Sequence, residues 1–111
     1  MHPDDTPLLL LSTCPDTETA ERLARHLVEQ GLAACVNVLP GIQSFYRWEN
    51  TLHTDREVLL LIKTRQAQYP QLEAAVLALH PYQVPELIGL PIVTGSAAYL
   101  DWLSAASRPL T

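Results

Sequence analysis

Ala34-Cys35-Val36-Asn37-Val38-Leu39-Pro40-Gly41, running on through Ile42-Gln43-Ser44-Phe45-Tyr46-Arg47-Trp48 to Glu49-Asn50-Thr51, decides how this chain folds. β-Branched and aromatic residues suit a pleated, half-buried surface. The spacing predicts a strand from Leu32 to Leu39 that resumes from Ile42 to Trp48. Proline has no N–H to give a ladder, so Pro40-Gly41 marks a bulge or bend between the two halves. Glu49-Asn50-Thr51 then reads as a turn, because Asn tolerates the left-handed conformation. A return strand follows from about Leu52 to Thr64. Its centre, Val58-Leu59-Leu60-Leu61-Ile62, is apolar at every position, so both of its faces need cover.

Outward from this hairpin, Leu8-Leu9-Leu10-Leu11-Ser12-Thr13 is a short apolar run ending at Pro15, the pattern of a central strand. Asp16 or Thr17 caps a helix whose apolar face is Ala20, Leu23, Ala24, Leu27 and Val28, and Gly31 stops it. Tyr69, Leu72, Ala75, Val76 and Leu79 mark a second helix, which Pro81 forces to end near His80. Glu86 to Val93 reads as an edge strand, and Gly95-Ser96 introduces a last helix carrying Tyr99, Leu100, Trp102 and Leu103. The order predicts an α+β fold, a ferredoxin-like βαββαβ sandwich with a long β-hairpin and an extra C-terminal helix. Residues 1–111 form one domain, with 1–7 expected as a flexible N-terminal tail. Both helices cover one sheet face. The other face and the overlong hairpin need a partner, so an obligate homo-oligomer with closed symmetry is expected.

Net charge is −5 and the seven basic residues are scattered, which disfavours nucleic acid. No apolar stretch reaches the ~20 residues of a membrane span, and the N-terminus lacks the basic segment of a signal peptide. A cytoplasmic location is expected. The two cysteines, Cys14 and Cys35, read as reduced, packed thiols. No nucleophile elbow, P-loop or dinucleotide fingerprint occurs, and no Gly-rich anion loop leads into the first helix, so catalysis is not expected.

Several blocks resemble, in order, the CutA divalent-cation tolerance family. They are Ala33-Ala34-Cys35-Val36-Asn37, Pro40-Gly41, Ser44-Phe45-Tyr46-Arg47-Trp48, Glu57 with Lys63-Thr64, His80-Pro81-Tyr82 with Pro85-Glu86, and Tyr99-Leu100-Asp101-Trp102. The resemblance implies a stable homotrimer of ferredoxin-like subunits, similar in architecture to the PII signalling proteins. It also implies a link to tolerance of copper and other divalent cations, with weak binding of Cu(II) or another divalent cation and no organic cofactor. A protein partner is implied by the anchoring role of animal relatives. Where some members carry a thiol at the end of the first strand, this chain has Ser12, with Cys14 two residues on. Where some have two histidines, it has Leu79 and His80.

His80, with Cys14 as a second donor, is therefore the candidate metal site; the alternative for His80 is closing the helix end by hydrogen bonds. No His-x-x-x-His or Cys-x-x-Cys pair exists, so any site is assembled from distant segments or across subunits. Glu57 and Lys63 share strand parity but lie about 20 Å apart along one strand, so each needs a neighbouring strand or subunit. Tyr46 and Trp48 share a face with Ile42 and Ser44 and are expected to cover a neighbouring subunit. Tyr46, Trp48, Glu57, Lys63, Tyr82 and Glu86 are the candidate residues of an intersubunit ligand cleft.

Overall fold

The computed structural model describes residues 5–109. In chain order the elements are β1 (Pro7–Cys14), α1 (Thr17–Glu29), β2 (Cys35–Trp48), β3 (Thr51–Arg65), a 3₁₀ turn (Gln66–Gln68), α2 (Tyr69–Leu79), β4 (Ile88–Pro91) and α3 (Ala97–Ala106). One four-stranded antiparallel sheet has the order β2-β3-β1-β4. With the helices between its strands, this is the ferredoxin-like α+β arrangement. The molecule extends 45 × 28 × 22 Å, because β2 and β3, of 14 and 15 residues, reach past the core as a hairpin.

The core lies between one sheet face and the helices. Leu8, Leu10 and Cys14 of β1, with Val58, Leu60 and Ile62 of β3, meet Ala20, Leu23 and Leu27 of α1 and Leu72 and Val76 of α2. Each fully buried leucine or isoleucine side chain contributes roughly 1.5–3 kcal/mol by leaving water. Asp16 caps α1 by accepting from the Thr19 N–H at 2.7 Å, and those hydrogen bonds hold its carboxyl below the ordinary carboxylate value. Gly31 ends the helix at φ +69°. Leu32 and Ala33 do not extend the strand. Their N–H groups go to the Leu27 carbonyl, so β2 begins at Cys35. Arg65 Nε and Gln68 Nε2 both donate to the Ser107 carbonyl at 2.9 Å, tying the end of α3 to the end of β3.

Pro40-Gly41 is a bulge: Leu39 pairs with Leu59 but Ile42 pairs with Glu57, so β2 holds one residue more than β3 opposite. Glu49 and Asn50 both take positive φ in the tight turn. β4 is shorter than the expected Glu86–Val93, because Ser12 Oγ donates to the Glu86 carbonyl at 2.7 Å and holds that residue outside the ladder. The expected tail overlaps β1, which starts at Pro7, and Asp5 pairs with Arg65 and Arg108; residues 1–4 lie outside the described residues. Among the described residues no helix is long and apolar enough to cross a membrane.

The sheet face away from the helices is open and apolar. Register places Leu9 and Leu11 of β1, Leu59 and Leu61 of β3, Ile88 and Leu90 of β4, and Leu39 of β2 on it. Leu39, Ile88 and Leu90 are each about half exposed in the single chain.

Candidate functional site

The open face changes character at the bulge. Beyond it, Ile42, Ser44, Tyr46 and Trp48 stand opposite Glu57, Asp55, His53 and Thr51. The segment after α2 folds beside this part of the sheet and walls one side of an open cleft of about 530 Å³. Tyr46, Trp48, Glu57, Tyr82 and Glu86 all line it. Lys63 does not. It lies toward the other end of β3, paired with Cys35 and Leu9, with its Nζ 5.8 Å from the centroid of the Tyr99 ring. Five intervening residues of extended strand, 58–62, keep it from Glu57 within one chain.

Two tyrosine–carboxylate pairs organise the cavity. Tyr82 donates its hydroxyl to Glu57 Oε2 at 2.7 Å, and Tyr46 donates to Asp55 Oδ2 at 2.5 Å. Desolvation, then the hydrogen bond and charge of Glu57, push the Tyr82 hydroxyl well above the ordinary tyrosine value. Tyr46 is raised chiefly by its bond to Asp55. Both phenols therefore stay protonated and act as fixed donors. Tyr46 also stacks on His53, with ring centroids 5.3 Å apart. Glu57 is only 7% exposed. Among the described residues no Lys, Arg or His forms an ion pair with Asp55, Glu57 or Glu86.

His80 sits beneath the loop that carries Tyr82. Its Nε2 is 2.7 Å from the Thr13 carbonyl, and its Nδ1 is 3.1 Å from the Tyr82 backbone nitrogen. A carbonyl only accepts and a backbone N–H only donates, so the proton is on Nε2 and the lone pair on Nδ1 serves Tyr82. The ring thus latches the loop to the end of β1. Cys14 Sγ is 3.8 Å from the same Nε2. Burial, aided by Asp16 and Glu57, pushes the Cys14 thiol up to about 11.

A metal ligand must offer a lone pair or a thiolate. In this arrangement both ring nitrogens are engaged and the thiol is held protonated, so the Cys14–His80 pair does not fit a metal without breaking the latch. Among the described residues no cluster of three or more His, Cys, Asp or Glu side chains is placed to hold an ion.

Asp55, Thr13 and Ser44 were not singled out from the sequence, although Asp55 shares the strand parity of Glu57. Its i, i+2 spacing was the available signal. Ser12 anchors Glu86, its Oγ donating to that residue's carbonyl.

The model of the CutA1 divalent ion tolerance protein family matches residues 8–106. The divalent-cation tolerance protein CutA of Thermus thermophilus is 50% identical over 95 residues, covering 86% of this chain and 92% of that protein. The protein of the same description from Pectobacterium atrosepticum is 44% identical over 108 residues, covering 94% and 98%. Plant and animal relatives are longer: the chain spans 56% of the chloroplastic CutA of Arabidopsis thaliana, at 46% identity. Among solved structures, CutA1 from Oryza sativa superposes with a TM-score of 0.90 at 44% identity, covering 94% of this chain and 97% of that one. A match over nearly all of the described residues, in sequence and in backbone alike, makes this chain a member of the CutA1 divalent ion tolerance family.

Proposed function

We propose that this chain serves divalent-cation tolerance as a closed homotrimer that binds a ligand in the cleft between the hairpin and the Tyr82 loop, and that it does so without catalysis. The observation that carries the reading is the open sheet face. Its apolar half, Leu9, Leu11, Leu59, Leu61, Ile88 and Leu90, has the composition of an obligate interface, and its other half is the walled cavity. Packing copies through the first half brings a neighbouring chain to the mouth of the second. Lys63 and the exposed Tyr99 and Trp102 border the same face and belong to the contact on this reading. A cytoplasmic location and docking of a further protein on the trimer belong to the same proposal; both cysteines are free, as a reducing compartment keeps them.

A second reading is weak binding of Cu(II) or another divalent cation at Cys14 and His80, favoured by their 3.8 Å contact. It requires a state in which His80 has let go of Thr13 or Tyr82. One experiment separates the two. Light scattering gives the mass, and calorimetric Cu(II) titration is run on the parent, Cys14→Ser and Glu57→Gln. A mass of three chains is expected, and Leu61→Lys, a charge on the open face, should reduce it. A monomeric parent overturns the trimer. Saturable Cu(II) binding lost in Cys14→Ser and kept in Glu57→Gln selects the metal reading over the cleft.

A further inference from the structure

We infer that the cleft takes an organic cation, an ammonium or guanidinium group carried on an apolar or aromatic body. This rests on the cleft being the ligand site and adds the charge and shape of what enters.

The first observation is charge. Glu57 and Glu86 line the cavity, Asp55 lies beside it through Tyr46, and no lysine or arginine is among the lining residues. An anionic ligand such as a nucleotide phosphate would meet carboxylates with nothing to receive it.

The second observation is the state of Glu57. This carboxylate is more than nine-tenths buried, yet its single hydrogen bond, from Tyr82, occupies Oε2. Among the described residues Oε1 has no partner, and it is not sealed from solvent, so it opens toward the cavity. Removing a carboxylate from water without a counter-charge is expensive, and a cation at Oε1 reverses that cost. Tyr82 is raised first by desolvation and then by its bond to Glu57, and Tyr46 first by its bond to Asp55; in both the charge of nearby carboxylates adds to the shift.

The third observation is the walls. Tyr46, Trp48 and Tyr82 face the same space. Aromatic faces attract ammonium and guanidinium groups and also stack on an apolar body. Bare divalent metals are a poorer match. They need several oxygen or nitrogen donors at fixed distances, and among the described residues no three His, Cys, Asp or Glu side chains are gathered to supply them. A volume of about 530 Å³ suits a small molecule rather than one ion.

The test uses three probes of one shape and different charge: benzylammonium, benzyl alcohol and benzoate. Trp48 lines the cavity and the chain has two tryptophans, so Trp102→Phe leaves Trp48 as the sole emitter. Each probe is titrated at constant ionic strength into Trp102→Phe, with and without Glu57→Gln, after light scattering has fixed the mass of each. Benzylammonium should perturb Trp48 saturably, at least tenfold more tightly than the alcohol, with no saturation by benzoate. Glu57→Gln keeps an acceptor for Tyr82 and should erase the preference for the cation. Equal affinity for cation and alcohol, tighter binding of benzoate, or a preference that survives Glu57→Gln overturns the inference while leaving a ligand cleft. No saturable response from any probe on protein of trimer mass overturns it as well. Zinc chloride competing with benzylammonium, and binding over tenfold more tightly in a Glu57-dependent way, overturns it in favour of a metal site. A monomeric mass of the parent chain, weighed alongside, is the separate failure of the assembly reading.

Discussion

Replacing His80 by alanine tests whether this residue is a latch or a ligand. The substitution removes the donor to the Thr13 carbonyl and the acceptor for the Tyr82 N–H. Thr13 is 8% exposed, so its carbonyl is left in a place that water reaches poorly, at a cost of about 1–3 kcal/mol. The Tyr82 N–H is closer to solvent and costs less. Loss of a buried ring that packs 4.7 Å from the Tyr82 ring adds about 1–2 kcal/mol. The expected destabilisation is therefore about 2–5 kcal/mol in metal-free buffer. Urea unfolding followed by tryptophan emission measures it. Protomer concentration must be matched, because association contributes to the apparent stability.

Two conservative variants divide the effect. Asn places an acceptor near the Nδ1 position and can restore the bond to Tyr82. Gln reaches the Nε2 position and can restore the donor to Thr13. Because the Thr13 carbonyl is the deeper of the two groups, His80→Gln should recover more stability than His80→Asn, and neither should recover all of it. A metal ligand with no structural duty behaves differently: its removal costs little when metal is absent. His80→Ala within about 0.5 kcal/mol of the parent, the range of an ordinary surface substitution, would refute the latch.

Cys14 provides a pH test. Its folded thiol is raised from 9.0 to about 11, so the unfolded chain loses this proton first, and stability falls as pH rises from about 9 toward 11. The slope from this one group is at most about 1.4 kcal/mol per pH unit. The difference between the parent and Cys14→Ala should therefore change with pH across that window and stay flat below it; a flat difference throughout refutes the assignment. Two glycines separate backbone strain from collision. Gly41 has φ +84° with nothing within 4 Å of a built Cβ, so Gly41→Ala should cost about 1–2 kcal/mol. Gly31 has φ +69° and a Cβ there would lie 1.9 Å from the Arg108 carbonyl, so Gly31→Ala should cost more and expose the 107–109 backbone to hydrogen exchange. Equal urea midpoints for the two variants would show that the C-terminal segment yields freely.

The parts of the fold legible in the sequence were those fixed by local chemistry. Ala20, Leu23 and Leu27 are buried at the spacing of one helix face, although Val28, at the edge of that face, stays exposed. Asn50 in the turn and the break at Pro40-Gly41 follow from single-residue backbone preferences. The parts that were not legible depend on bonds between distant residues. Leu32 and Ala33 look strand-like, but their N–H groups finish α1. Glu86 looks like the start of β4 until Ser12, 74 positions away, fixes its carbonyl. The cleft shows the same division. Tyr46, Trp48 and Glu57 are placed together by strand parity and cross-strand register, whereas Tyr82 arrives only because His80 reaches back to Thr13. Lys63 has the right parity and the wrong distance.

The bulge connects the interface to the cleft. Before it, the odd-numbered residues of β2, Cys35, Asn37 and Leu39, lie on the open face; after it the even-numbered ones do. Strand side chains alternate with a period of two, so one inserted residue inverts every position that follows. Without that insertion the pairing would continue with Phe45 opposite His53 and Arg47 opposite Thr51, in place of Tyr46 and Trp48. An arginine would then share the face of Asp55 and Glu57, and no phenol would be positioned to donate to Asp55. The extra residue at Pro40-Gly41 thus sends Arg47 to the opposite side and leaves the buried charge of Glu57 without an internal cation. Phe45 lines the cavity as well, at its rim. On the proposed assembly the inner half of the sheet is covered by a neighbouring copy, and the outer half keeps the Glu57 carboxylate where a ligand can reach it. If the cleft selects positive charge as inferred above, the register shift at Pro40-Gly41 is what puts Tyr46 and Trp48, and not Arg47, on its face.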